Sequence, residues 1–118
     1  MGYRREAIGD RRGARGERRE AIGMDCREIR FSSHAIRRMF ERGIDKEGIV
    51  RAILTGEVVA EYLDDKPYPS FLILGWIGRE PIHVLVAVEK RSGLCIVVTV
   101  YSPDPALWEE GFRKRRKS

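Results

Sequence analysis

The 118-residue sequence has few of the residues that build metal centres or disulfide scaffolds, with two cysteines and two histidines. Cys26 and Cys95 form no CxxC pair and make no disulfide framework. Together with the histidines they also give no tetrahedral zinc spacing. We therefore expect no metal and no cofactor, and we interpret Cys95, which lies in an apolar strand pattern, as a small core residue.

Long hydrophobic runs are also missing. No run of about eighteen apolar residues is present, so we expect nothing to span a membrane. The N-terminus is basic but lacks the apolar stretch of a secretory signal. No GxGxxG or GxxxxGK[ST] phosphate loop and no nucleophile elbow occurs. These absences, with unpaired cysteines, predict a cytoplasmic protein outside the common nucleotide-binding and serine-hydrolase classes.

The net charge of +5 lies at the two ends of the chain. Residues 1–23 carry +3, residues 109–118 carry +3, and the body between them carries −1. Basic ends either solubilise a protein or bind phosphate, and both interpretations stay open here. The sequence RREAIG occurs twice in the first 23 residues, in a setting that offers no core. We expect a disordered arginine-rich arm at 1–23, a single domain at 24–113 and a basic tail at 114–118.

Two helices are predicted at the front of the domain. The segment FSSHAIRRMFERGI begins at a serine cap, Ser32 or Ser33, and ends at Gly43. Its helical periodicity places Ala35, Ile36, Met39 and Phe40 on the core side, and His34, Arg37, Arg38, Glu41 and Arg42 outside. The second helix is capped by Asp45 and stopped by Thr55-Gly56.

Four strands follow, at residues 57–62, 70–76, 81–88 and 94–101, and Asp104 is placed to cap a short terminal helix. The short links predict an antiparallel meander. The expected fold class is therefore α+β, with two N-terminal helices packed on a four-stranded antiparallel sheet and a short C-terminal helix.

The last hairpin gathers polar residues at one end of the predicted sheet. Pairing Val88 with Leu94 would place His83 opposite Thr99, and the period-two rule puts Tyr101 on the same face. Cys95 and Val97 are expected on that face too, while the alternate residues of both strands form an aliphatic face beneath the helices. Each polar residue also has a structural interpretation: a bonded strand histidine, an aromatic anchor at a strand end, a solvated helix face. A metal-free set of Arg, His and Tyr side chains suits RNA cleavage by the substrate's own 2′-hydroxyl.

Taken together, FSSHAIRRMFERGI, GEVVAEYLDDKPYPSFLILGW, PIHVLVAVEK and IVVTVYSPDPALW resemble the prokaryotic family catalogued as domain of unknown function 4258. The resemblance covers roughly residues 29–113. It implies a small toxin of a type II toxin–antitoxin pair, similar to RelE-like, barnase-like and motility quorum-sensing regulator mRNA interferases. Its expected partners are RNA, including ribosome-bound mRNA, and a cognate antitoxin protein.

The motif positions that the resemblance marks are His34, Arg38, Arg42, His83 and Tyr101. The catalytic candidates are His34, Arg38, His83 and Tyr101, and the candidates for binding the RNA are Arg37, Arg42, Arg113, Lys114 and Arg115. If the helices cover the aliphatic face, the helix residues and the strand residues meet only at a sheet edge. The alternative function is a non-catalytic RNA- or protein-binding module.

Overall fold

The computed structural model describes residues 25–117, so the predicted arm at 1–23 lies outside the described residues. Two helices pack on one face of a five-stranded sheet. The elements in chain order are β1 (Glu28–Phe31), α1 (Ser33–Arg42), α2 (Lys46–Thr55), β2 (Glu57–Tyr62), β3 (Ser70–Ile77), β4 (Glu80–Glu89) and β5 (Leu94–Tyr101). No helix in this part of the chain is long and apolar enough to cross a membrane.

The ends of both helices follow from local chemistry. The Ser32 hydroxyl accepts a hydrogen bond from the Ala35 backbone amide at the start of α1. Gly43 ends α1 with a φ of 69°, a left-handed conformation that glycine adopts without a steric cost. The Asp45 carboxylate accepts from the Gly48 amide in the same way at the start of α2.

The fold is α+β with two helices, but the predicted four-stranded antiparallel meander is wrong. The strand order is β1-β5-β4-β3-β2, and β1 pairs with β5 in parallel, so the sheet is mixed. The four strands of β2 to β5 are antiparallel as predicted. β1 has four residues, of which two are charged, and its partner lies far along the chain. A parallel pairing of this kind has no local turn signal in the sequence.

The predicted register of the last hairpin is wrong by one residue at its turn, where Glu89 and not Val88 pairs with Leu94, and by one more residue at a β-bulge in β5. Glu89 pairs with Leu94 and Val86 with Val97, but Leu85 pairs with Thr99, so Val98 is an extra residue. The two shifts together place His83 opposite Tyr101 rather than Thr99. The shift at the turn puts Cys95 and Val97 on the side facing the helices, contrary to the prediction, and the bulge returns Val100 to the side predicted for it. The side facing the helices carries Ile29, Ile73, Val84, Val86, Val88, Cys95, Val97 and Val100, all in one buried cluster with the helices.

The structure turns α1 relative to the predicted orientation. Ala35 and Met39 are buried, but Ile36 is 45% exposed and Phe40 is 85% exposed. The predicted core side of α1 is therefore half wrong. Arg38 is partly buried, whereas the apolar pair Ile36 and Phe40 points to solvent, so the helix is rotated relative to the predicted orientation.

The predicted C-terminal helix is also wrong. Asp104 does cap a turn, since its carboxylate accepts from Ala106 and its carbonyl accepts from Leu107 and Trp108. The chain then reverses, and Trp108 pairs with Arg115 in an isolated antiparallel bridge. Gly111 and Phe112 have φ values of 91° and 61°, a conformation that a right-handed helix cannot contain. The segment 103–117 folds back over the second face of the sheet.

The prediction that the two cysteines stay unpaired is wrong in this structure. Cys26 and Cys95 form a disulfide, and both residues are buried. Cys95 is a core residue, as predicted, and it pairs with Ile29 of β1. The cysteines are 69 positions apart in the sequence, and no spacing pattern predicts the parallel pairing that brings them together.

Candidate functional site

The site lies at the C-terminal half of β5, beyond the end of β1. Because β1 pairs with residues 94–97, the remainder of β5 has no strand on that side, and α1 lies alongside it. The imidazole of His34 is 3.0 Å from the Thr99 hydroxyl. At the other end of the helix the Arg42 guanidinium donates to the Ser102 hydroxyl at 3.3 Å. The helix therefore contacts both ends of the stretch 99–102.

Arg38 belongs to the same row of side chains on α1. His34, Arg38 and Arg42 are four residues apart, so they form one stripe along the helix. His34 contacts Thr99 of β5 and Arg42 contacts Ser102 just after it, and Arg38 lies between these two residues on the helix. Its guanidinium is 3.2 Å from Glu41, a largely exposed pair that contributes little to stability.

Tyr101 and His83 form the second half of the site, on paired positions of β5 and β4. The Tyr101 hydroxyl is 3.1 Å from Nδ1 of His83, and Nε2 of His83 is 3.0 Å from the carbonyl oxygen of Phe112. A carbonyl only accepts, so Nε2 carries the proton and Nδ1 of neutral His83 accepts from the Tyr101 hydroxyl. The hydrogen bonds thus fix the tautomer of His83.

Burial keeps both groups in their neutral forms. Desolvation lowers the pKa of His83 from its ordinary value of 6.5, and the hydrogen bond to the Phe112 carbonyl opposes this in part. Desolvation also raises the pKa of Tyr101, and the Tyr62 phenol adds to that effect while the positive charge of Arg115 opposes it. At neutral pH the pair is therefore an uncharged phenol that donates to an uncharged imidazole.

The fold-back segment, residues 103–117, encloses the His83–Tyr101 pair. The Trp108 ring packs edge-on against the His83 ring, with centroids 4.4 Å apart. His83 is 0% exposed, so it reaches a substrate through Tyr101 and not directly. The left-handed backbone of Phe112, with a φ of 61°, presents its carbonyl to His83. Strained backbone of this kind is concentrated at functional sites.

The two halves contact neighbouring positions of β5, and no hydrogen bond within residues 25–117 joins one half directly to the other. Thr99 and Tyr101 are alternate residues of one strand, so their side chains leave β5 on the same side, roughly 7 Å apart. His34 binds the first, and His83 binds the second. We call His34, Arg38, Arg42, His83, Thr99 and Tyr101 the β5 cluster.

The remaining candidate cations are dispersed. Arg37 is exposed on the solvent side of α1 and forms no hydrogen bond within residues 25–117. Arg113 donates to both carboxylate oxygens of Glu57, at 2.9 and 3.0 Å, and Lys114 is exposed. Arg115 lies over the Trp108 ring, with its guanidinium carbon 5.7 Å from the ring centroid, and its charge reaches Tyr101. Arg115 is therefore the cation of the tail that belongs beside the site.

The sequence missed three parts of this site: the Phe112 carbonyl, the Trp108 ring and the Ser102 hydroxyl. The Phe112 carbonyl and the Trp108 ring depend on the reversal of the chain at 109–114, where the sequence pattern predicted a helix, whereas Ser102 directly follows β5. No group of three or more His, Cys, Asp or Glu side chains within residues 25–117 is placed to hold a metal ion. The groups that the site offers are the hydroxyls of Thr99, Tyr101 and Ser102, two imidazoles and three guanidinium cations.

Comparison with known proteins agrees with the resemblance seen in the sequence. The chain matches the family model described as Domain of unknown function (DUF4258) over residues 31–102. All six residues of the β5 cluster lie inside that range, and the fold-back segment after Ser102 lies outside it. No curated protein and no solved structure matches the chain. Because the match covers more than half of the sequence, this protein belongs to the DUF4258 family.

Proposed function

We propose that this protein is a metal-independent endoribonuclease, the toxin of a type II toxin–antitoxin pair acting on cytoplasmic mRNA. The observation that supports the proposal is the chain of hydrogen bonds from Tyr101 to His83 to the Phe112 carbonyl, beside three cations. A hydroxyl, a neutral base and a group that orients the base form the arrangement by which proteins activate an oxygen.

The reaction is attack of the substrate 2′-hydroxyl on the adjacent phosphorus. The Tyr101 oxygen accepts the 2′-hydroxyl proton while Tyr101 passes its own proton to Nδ1 of His83. The resulting imidazolium is held by the Phe112 carbonyl. The new phosphorus–oxygen bond replaces the bond to the 5′-oxygen, which His34 protonates. The products are a 2′,3′-cyclic phosphate and a 5′-hydroxyl end.

The cations stabilise the charge that develops on the phosphate. Arg38 and Arg42 lie on the α1 stripe, and Arg115 approaches from the opposite side over Trp108. Arg42 and Arg115 have no carboxylate partner among the described residues, so their charges are available to a phosphate. Arg38 must first release Glu41.

A purified-enzyme assay tests this proposal. The wild-type chain is expected to cut RNA in the presence of EDTA, to leave a cyclic phosphate, and to spare a substrate with 2′-deoxyribose at the cut. Tyr101→Phe should lower the cleavage rate by about 10²-fold or more, the usual contribution of a general acid or base. RNA binding, measured by fluorescence anisotropy, should stay unchanged in this variant.

Matched controls come from the same chain. Tyr68→Phe removes a hydroxyl in the β2–β3 link, and Arg51→Ala removes an exposed cation of α2; both should cleave at the wild-type rate, whereas Arg38→Ala should not. Folded wild-type protein that leaves RNA intact, or a Tyr101→Phe variant with full activity, would refute the proposal.

A second candidate is a non-catalytic protein-binding module, which the exposed pair Ile36 and Phe40 favours. An antitoxin would need such a surface as well, so binding of a protein does not separate the two candidates. Cleavage by the purified chain does, because a binding module would leave RNA intact in the same assay.

A further inference from the structure

The Cys26–Cys95 disulfide fastens one strand at the edge of the sheet. It joins the residues at the start of β1 to the start of β5, the parallel pair of the described sheet. β1 has four residues and one neighbouring strand, so a single row of backbone hydrogen bonds holds it. Cys26 is 1% exposed and Cys95 is 0% exposed. The disulfide is therefore the one covalent tie on a short edge strand.

The same row of contacts continues from β1 into the β5 cluster. The Ser32 amide donates to the Val97 carbonyl at 3.0 Å, and the Ser32 hydroxyl donates to the Val98 carbonyl at 2.9 Å. The next contact along β5 is His34 with Thr99. Residues 26–34 thus follow β5 without interruption, with the disulfide at one end and His34 at the other. Release of β1 would remove the anchor that positions His34.

The other half of the cluster does not depend on β1. His83 and Tyr101 lie on the paired strands β4 and β5 and are enclosed by the fold-back segment. Most of the buried core likewise comes from β3, β4, β5 and the helices. Reduction of the disulfide should therefore lower stability and loosen one side of the site while the rest of the domain stays folded.

We propose that the Cys26–Cys95 disulfide is a redox switch: the oxidised form holds the β5 cluster in its assembled form, and reduction releases β1. This inference rests on the proposed cytoplasmic function, because disulfides in that compartment are mostly transient and redox-sensing. Reduction by a small thiol such as glutathione consumes two thiol molecules, which transfer two electrons and two protons to the protein disulfide and join as one small-molecule disulfide. Cys26 and Cys95 become thiols. Since both sulfurs are buried, exchange requires β1 to open first.

The experiment compares the oxidised and reduced full chain. Hydrogen–deuterium exchange is measured for residues 28–34, with the central strand β4 as the internal reference, and the RNA cleavage rate is measured on the same samples. In the reduced form we expect faster exchange at 28–34, unchanged exchange in β4, and cleavage at least about fivefold slower, within the usual range for coupled sites. Cys26→Ser should show the exchange and the cleavage rate of the reduced wild type, and neither should change with the redox potential of the buffer.

Each outcome decides the inference. Equal exchange at 28–34 in the two forms would overturn it, and so would cooperative unfolding on reduction, which would make the disulfide a purely structural requirement. If Cys26→Ser does not fold, the wild type kept reduced by excess reductant, with its thiols unmodified, supplies the comparison. If neither form cleaves RNA, the proposed function fails, and the exchange measurement alone decides whether the disulfide controls the docking of β1.

Discussion

Replacing His83 by glutamine is expected to flatten the pH dependence of stability near neutral pH. The folded protein holds His83 neutral, because burial lowers its pKa below 6.5 while the unfolded chain keeps the ordinary value. Above about pH 6.5 neither state binds a proton at this residue, so its contribution to stability is complete. As the pH falls below that value the unfolded state takes up a proton first, and stability is lost until the folded pKa is reached.

The magnitude follows from this difference in proton binding. Between the unfolded and the folded pKa the free energy of unfolding should fall by up to about 1.4 kcal/mol for each pH unit. Glutamine keeps an amide donor for the Phe112 carbonyl but does not titrate. Loss of the imidazole packing against Trp108 should lower the free energy of unfolding by roughly 1–3 kcal/mol at every pH. The slope of this free energy against pH, and not its absolute value, therefore tests the prediction.

Urea unfolding of the oxidised protein between about pH 5 and pH 7.5 measures the slope, in a window that avoids most carboxylate titration. The matched control is His34→Gln, since His34 is the other histidine of the chain and is exposed. The reasoning is refuted if His83→Gln keeps the wild-type slope or if His34→Gln removes it.

Two further predictions test the packing that the structure assigns. Met39→Ala should cost about 2–5 kcal/mol, because its side chain is buried, while Phe40→Ser on the exposed side should stay within about 0.5 kcal/mol; equal losses in urea unfolding would contradict the orientation of α1. Gly75→Ala should cost about 1–3 kcal/mol, because its new Cβ would lie 2.6 Å from the Cβ of Ala52. The double variant with Ala52→Gly should recover part of that loss, and a further loss of stability would show that the close approach of β3 to α2 is not the cause.

Local patterns predicted much of the fold because their causes are local. Ser32 and Asp45 cap the helices as predicted, and Gly43 ends the first one, since each acts on atoms within four residues. The strands β2 to β5 follow from apolar runs separated by turn residues. The α+β class and the membership of the DUF4258 family were likewise readable from the sequence.

The candidate site shows where such reasoning stops. The sequence selected His34, Arg38, His83 and Tyr101, but it paired His83 with Thr99 and left open whether the helix and strand residues meet. A one-residue difference at the turn, where Glu89 pairs with Leu94, and the extra residue Val98 together shift the register by two residues, and no residue type marks either change.

What the sequence determined by itself is therefore the set of elements and the residues with chemistry to offer. Tertiary structure alone decided that β1 pairs in parallel with β5, that Cys26 meets Cys95, and that the tail reverses over His83. These contacts join residues far apart in the chain, and their free energy depends on packing that exists once the sheet is assembled. The position of the β5 cluster, at the sheet edge that the short β1 leaves open, follows from those long-range contacts.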